Sequence, residues 1–246
     1  MPEPDGGIRF QSNTRHGFFI TFEGGEGCGK TTQMNLFCGW LEESGYRINV
    51  TREPGGTLIG EQIRDILLRT TNAAMAPVTE ALLLAASRAQ LVRDFIEPAL
   101  ARKEVVVSDR YADASRAYQG YGRRIPLPTV DMLIALATGG RRPDLTFLLD
   151  ISPEESLRRA HLRDRQLRLE GIEDRFEREE MAFHNRVHQG YRELADRDPD
   201  RFVVVDGAQP IGVIQDRLRE IFSTRYGAIE GSGVTDVGSG GRTQGT

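Results

Sequence analysis

Residues 24–31 read Gly-Gly-Glu-Gly-Cys-Gly-Lys-Thr and fit the pattern G-x-x-x-x-G-K-[ST] in full. Glycines at this density let successive backbone N–H groups turn toward one concavity, and a helix opening behind them adds partial positive charge. Such a cradle binds the phosphates of a nucleoside triphosphate. Lys30 is expected to reach the β- and γ-phosphates, and the Thr31 hydroxyl to ligate Mg²⁺. Gly24, Gly25, Glu26, Gly27, Cys28, Gly29 and Thr32 complete the expected ATP contacts. Lysine is scarce in this chain: of 32 basic residues only Lys30 and Lys103 are Lys. A compact ammonium therefore stands where phosphates are expected, in a chain that otherwise carries positive charge on arginine. The metal needs a carboxylate as well. Asp109 ends the β-branched run Val105-Val106-Val107-Ser108-Asp109, at the strand end where open α/β sheets bind ligands. Asp109 can also cap the helix that follows.

A phosphate cradle works only when a strand enters it and a helix leaves it. The apolar run Phe18 to Phe22 predicts that strand, and the pattern to about Ser44 predicts the helix. Further strands are predicted at Arg47–Val50, Val105–Val107, Leu145–Leu149 and Phe202–Val205. Helices are predicted at Thr57–Arg69 and Val78–Arg102, with Pro77 near the start of the second and Pro98 set to kink or end it. Others are predicted at 153–163, 173–197 and 210–225. Strands alternating with helices imply a parallel sheet covered on both faces. The expectation is a single α/β domain over 16–226, with a flexible arm at 1–15 and a disordered Gly-rich tail at 227–246. Residues 163 to 173 are polar and Arg-rich and read as an excursion from the sheet.

Composition narrows the classes. The 246 residues carry a formal charge of −4, which suits neither a basic nucleic-acid protein nor an acidic tail. No apolar run approaches a membrane span, and the first seven residues lack the basic-then-apolar signal pattern. Cys28 and Cys38 give no disulfide framework and suggest a reducing compartment, so a cytoplasmic location is expected. His184 and His188 stand four apart on a predicted helix, but no third ligand accompanies them; a surface or interface role is expected. Cys28 is expected to be a small residue filling a small position.

The cradle does not say what receives the phosphate. Three other stretches do: Thr51-Arg52-Glu53-Pro54-Gly55-Gly56-Thr57, then Thr79-Glu80 through Ser87-Arg88-Ala89-Gln90, then Asp109-Arg110-Tyr111 with Ser115 and Ala117-Tyr118-Gln119-Gly120. In this order and spacing the chain closely resembles the bacterial thymidylate kinases, from about Phe18 to Phe222. The resemblance implies a P-loop nucleotide kinase fold with a five-stranded parallel sheet ordered 2-3-1-4-5, helices on both faces, and a short Arg-rich lid at about 160–175. It implies transfer of a phosphoryl group from ATP to dTMP with Mg²⁺, and a homodimer formed through helices. It also implies roles. Arg64 and Arg110 surround the acceptor monophosphate, where a planar fork of donors suits a dianion. Arg88 bonds the thymine carbonyl, and Ser115 and Gln119 line the base site. Glu26 lies near the acceptor sugar hydroxyl, and Glu53 near the acceptor and metal. Leu84 stands where relatives often carry an aromatic ring on the thymine; leucine covers the base but offers no π-face.

The acceptor is a phosphate, largely ionised at neutral pH because its second pKa is about 6. No general base is needed, so positioning and electrostatics carry the transfer. The cradle itself holds no arginine, while residues 158–178 hold seven: Arg158, Arg159, Arg163, Arg165, Arg168, Arg175 and Arg178. Arg163, Arg165 or Arg168 is expected to close over ATP and contact the phosphates at the transition state. Two other readings stand beside this one: another nucleoside or nucleotide kinase of the same fold, and a regulatory P-loop NTPase that switches a partner. The second would need a γ-phosphate-sensing loop, for which no motif is present.

Overall fold

The computed structural model describes residues 17–166 and 175–226. The expected arm, the tail and most of the expected lid lie outside them, Arg168 included. The side chains of Arg163 and Arg165 lie outside them too.

Five strands form one parallel sheet: β1 (Phe18–Glu23), β2 (Ile48–Arg52), β3 (Val105–Asp109), β4 (Leu145–Asp150) and β5 (Phe202–Asp206). Their order is β2-β3-β1-β4-β5, as expected from the resemblance. The register pairs Ile20 with Val107 on one side and with Leu145 on the other. Side chains alternate across a strand, so neighbouring pairs feed two different cores. Ile20, Phe22, Val107 and Phe147 pack with Phe37 and Leu41 of α1 (Lys30–Glu43) and Phe222 of α9 (Ile211–Tyr226). Phe19 and Val106 pack on the other face with Leu91, Ile96 and Ile134. Both faces are covered, which is why the strands read as nearly continuous apolar runs.

The second face is built by α3 (Pro77–Leu91) and α6 (Leu127–Thr138). Pro98 does not end the long helix. The chain passes from α3 through a wide helical turn, Val92–Ile96, into α4 (Glu97–Ala101). Pro98 has no N–H to give the preceding turn, and the widened turn absorbs that loss. A second wide turn, Arg116–Gly122, follows the short α5 (Ala112–Ser115).

Several predicted elements differ from those observed. β2 runs on to Arg52, because Thr51 and Arg52 pair with Ser108 and Asp109 of β3. The helix expected from 173 begins at Met181, as α8 (Met181–Arg197). Arg175 bonds inward to the Leu67 carbonyl and to Glu80, which holds this stretch in turns instead. The helix α6 was missing from the predicted set. Its signals were Pro126 at the cap position and Gly139 at φ 59° just past the end.

The remaining helices are α2 (Leu58–Leu68) and α7 (Pro153–Gln166). All five strands point their carboxyl ends at one edge of the domain. Phe22 lies beside Asp109 in register, so the loop after β1 and the carboxylate after β3 emerge side by side where the strand order switches direction.

Candidate active site

The loop after β1 curls because three of its glycines adopt conformations other residues avoid. Gly24, Gly27 and Gly29 have φ of 138°, 69° and 96°. Gly27 has a second reason: a Cβ there would lie 2.3 Å from the Ser156 carbonyl and 2.7 Å from the Ala160 nitrogen. Helix α7 therefore packs against the loop backbone and sets its shape. Cys28 is buried in this turn, as expected of a small filler. Lys30 is also buried, and its Nζ donates to the carbonyls of Gly25 at 2.7 Å and Gly24 at 3.3 Å. It spans the cradle mouth, where the phosphate oxygens would replace those carbonyls.

Thr31 donates its hydroxyl to Asp109 Oδ2 at 2.9 Å. These are two hard oxygen donors at the strand ends, the chemistry that Mg²⁺ prefers. The residues present fit the ion. Glu53, expected near the acceptor and metal, is paired with Arg88. Both its oxygens accept from Arg88 Nε, at 3.1 and 2.8 Å.

Arg110 is the hub on the other side of the loop. Its φ is 71°, a left-handed conformation that a non-glycine residue adopts only when held there. Its backbone nitrogen donates to Phe22 O at 2.9 Å, and Ser108 Oγ donates to its carbonyl at 2.7 Å. The side chain is thereby returned over the phosphate loop. Nη1 donates to Gly24 O at 2.7 Å and Tyr191 Oη at 3.0 Å; Nη2 donates to Glu26 Oε1 at 2.6 Å and Tyr118 Oη at 3.0 Å. Burial opposes the guanidinium charge, but Glu26 and the two tyrosines hold it well above its ordinary pKa. Behind it, Tyr191 donates to Glu23 Oε2 at 2.8 Å, and the Tyr111 nitrogen donates to Glu23 Oε1 at 2.8 Å. Burial, aided by Asp113, pushes the Glu23 carboxyl up to about 7.

A single cleft of about 730 Å³ joins these groups to the acceptor residues, a size that suits a small ligand. Lys30, Thr31, Thr32 and Asp109 line it, as do Glu26, Glu53, Arg64, Leu84, Arg88, Arg110, Ser115 and Gln119. Every residue expected at the acceptor is therefore brought to one place. Arg64 donates to the Pro54 carbonyl at 2.9 Å. Arg88 is almost wholly buried and uses Nε on Glu53 and Nη2 on Ser115 Oγ at 2.8 Å and Tyr111 O at 3.1 Å. Among the described residues its Nη1 has no hydrogen-bond partner. Gln119 follows Ser115 by one helical turn, and its Oε1 is buried without a partner.

Several functional residues carried no individual expectation. Tyr118 lines the cleft, bonds Glu26 at 2.9 Å and lies under the Arg110 guanidinium. Tyr191 and Glu23 grip Arg110 from behind, and Arg159 reaches the cleft from α7. Glu23 was findable as a carboxylate at the end of a buried strand; Tyr191 had no local signal. The expected surface role for the histidines is half right. His188 is part exposed and meets Asp150 at 2.7 Å, but His184 is buried on the inner face of α8, where burial lowers its pKa. Among the described residues no cluster of His, Cys, Asp and Glu could hold a metal by itself.

A parallel sheet in this order, a triphosphate loop at its switch point and an arginine-lined second site across one cleft define a P-loop kinase that acts on a nucleotide-sized acceptor. The family model described as thymidylate kinase matches residues 22–218. This chain belongs to the thymidylate kinase family. It is 50% identical over 200 residues to the thymidylate kinase of Desulfosudis oleivorans, covering 81% of this chain and 94% of that one. It is 51% identical over 196 residues to that of Geotalea uraniireducens, covering 79% and 91%. The crystal structure of thymidylate kinase from Ehrlichia chaffeensis superimposes with a TM-score of 0.65 at 30% identity, covering 84% of this chain and 98% of that one. The chain is thus a phosphotransferase of this family, and the regulatory-switch reading is set aside.

Proposed function

We propose that the chain transfers the γ-phosphoryl group of ATP to dTMP, giving ADP and dTDP. The observation that carries this reading is a pair of unused polar atoms on two buried residues that line the acceptor half of the cleft. Arg88 Nη1 supplies a donor there, and Gln119 Oε1 an acceptor one turn beyond Ser115. Thymine presents the complement: a carbonyl oxygen at position 4 beside an N–H at position 3. Leu84 offers apolar cover for the ring, without a π-face.

The acceptor phosphate is held by Arg110 and Arg64, whose planar forks suit a dianion. Glu26 and Tyr118 keep Arg110 aligned, and they line the cleft beside it. Lys30 gives up its loop carbonyls for the β- and γ-phosphate oxygens. Thr31 and Asp109 would hold Mg²⁺, which when bound neutralises charge on the triphosphate. Glu53 contributes by fixing Arg88. Arg163, Arg165 or Arg168 supplies the remaining positive charge over ATP, because the loop has no arginine of its own.

We further read the chain as a homodimer working in the cytoplasm. Leu58, Val78, Leu82, Met132 and Leu136 stand exposed on α2, α3 and α6, an apolar face of the kind that a second copy covers. Both cysteines are free, and among the described residues no helix is long and apolar enough to cross a membrane.

The test is a coupled ADP-release assay with ATP and dTMP, dUMP, dGMP, dCMP and AMP as acceptors. We expect a strong preference for dTMP, with dUMP next because only a methyl separates the two, a difference worth about 1–3 kcal/mol. Equal turnover of all five would overturn the assignment.

A further inference from the structure

Glu80 is a fully buried carboxylate on α3 and takes no direct part in the cleft wall. Three side chains donate to it. Arg123 gives Nε at 3.2 Å to each oxygen and Nη2 at 3.1 Å. Arg175 gives Nη2 at 2.6 Å to Oε2. Gln119 gives its amide Nε2 at 2.7 Å to Oε1. Arg175 is itself tied by Nε to the Leu67 carbonyl at 3.1 Å, and Arg123 reaches Glu179 at 2.5 Å.

This arrangement dictates which end of the Gln119 amide is available. An ionised carboxylate only accepts hydrogen bonds, and the two guanidiniums only donate. Gln119 can meet Glu80 through its NH₂ alone. Its Oε1 must then turn away, and that atom is buried with no partner although Gln119 lines the acceptor cleft. A buried amide carbonyl left unmade is costly, and native interiors seldom keep one without a use.

We propose that Glu80 is a positioning residue that sets base specificity. By holding the Gln119 NH₂, it presents Oε1 as an obligate acceptor to the N3–H of the acceptor base. The proposal rests on the dTMP reading above. Thymine and uracil carry that N–H. Cytosine carries an acceptor at N3 beside a donor amine, so it would face Oε1 with a lone pair and leave Arg88 Nη1 opposite an N–H. The two arginines serve the same end. They compensate the Glu80 charge and donate to both its oxygens, which leaves Gln119 to meet it as a further donor. Selection against cytosine is thus stored one residue behind the cleft wall.

The experiment measures kcat/KM of the full chain for dTMP, dUMP and dCMP in the wild type, Glu80→Gln and Gln119→Met. A glutamine at position 80 both donates and accepts, so the Gln119 amide is free to turn. We expect the dTMP:dCMP ratio of Glu80→Gln to fall by about tenfold or more, since discrimination by an unpaired polar group is large. The dTMP:dUMP ratio should hold, because both bases show the same N3–H. A site that had merely loosened would shift both ratios together, and that result overturns the proposal. So does a dTMP:dCMP ratio that stays within about twofold of wild type. If thermal melts show Glu80→Gln unfolded, Gln119→Met decides, because it leaves Glu80 paired with both arginines. KM for dTMP and dUMP should then rise alike while dCMP changes less; equal losses on all three overturn the proposal. A wild-type enzyme with no preference for dTMP would instead sink the dTMP reading beneath it.

Discussion

Tyr191→Phe removes one hydroxyl and nothing else, at the point where the acceptor arginine is braced from behind. That hydroxyl donates to Glu23 Oε2 at 2.8 Å and accepts from Arg110 Nη1 at 3.0 Å. Arg110 keeps Gly24 O, Glu26 and Tyr118, but among the described residues Glu23 keeps only the Tyr111 nitrogen as a donor. A hydrogen bond to an ionised group contributes about 1.5–3 kcal/mol, and one between neutral groups about 1 kcal/mol. The charge on Glu23 therefore decides the cost. Burial, then Asp113, raises its pKa from 4.5 to about 7, and the Tyr191 bond works against that rise. The folded chain thus holds this proton more tightly than the unfolded chain. In the wild type the group favours folding below the unfolded value of 4.5, and that contribution is lost as pH rises through about 7. Losing the Tyr191 bond raises the folded pKa further, so the variant suffers most where Glu23 is ionised. Arg110 loses the same charged bond at both pH values, so Glu23 sets the difference: we expect the loss at pH ~8 to exceed that at pH ~5.5 by about 1 kcal/mol. For a domain of this size that is a Tm drop roughly 2–4 °C larger at the higher pH. Thermal melts of both proteins at the two pH values read this directly. An equal drop at both, or none at either, refutes the account of Glu23. The same variant should raise KM for dTMP and leave KM for ATP unchanged, because the released arginine belongs to the acceptor.

The lid arginines and the apolar face can be tested as simply. Among single Ala variants of Arg163, Arg165 and Arg168, at least one should lose about 1,000-fold or more in kcat with ATP saturating, the lower end expected of a transition-state arginine; near-wild-type turnover in all three removes the lid from the mechanism. Leu136→Glu places a charge at a leucine that is 83% exposed on α6, so it should halve the mass seen by sedimentation while leaving the melt unchanged, and a wild-type chain that already sediments as a monomer ends the dimer reading.

Much of the fold was legible because it is encoded locally. All the strands but the polar edge strand β2 are short apolar-rich runs, and each pairs almost where its pattern placed it. The misplaced start of α8 shows where local reading stops. The stretch from Arg175 has helical composition, but Arg175 is drawn to Glu80 and Leu67, far away in sequence. Helix α6 was missed although its cap residues Pro126 and Gly139 were in plain view. In the site, the residues expected at the acceptor came from motif resemblance, and one cleft gathers all of them. Glu53 was expected near the metal and is found paired with Arg88. His184 was expected at a surface or interface and is buried.

The phosphate loop needed no tertiary information. Its function lies in eight consecutive residues, because backbone N–H groups and glycine conformations make the cradle, and Lys30 and Thr31 follow at fixed offsets. The acceptor half is different. Arg88, Arg110 and Gln119 come from separate elements, and an arginine in a chain with thirty of them signals nothing by itself. Only packing decided that Arg110 would be turned back over the loop, that Tyr191 would brace it, and that Glu80 would orient Gln119. Those are bonds between residues 35 or more apart. Their strength comes from burial, which composition and spacing cannot report.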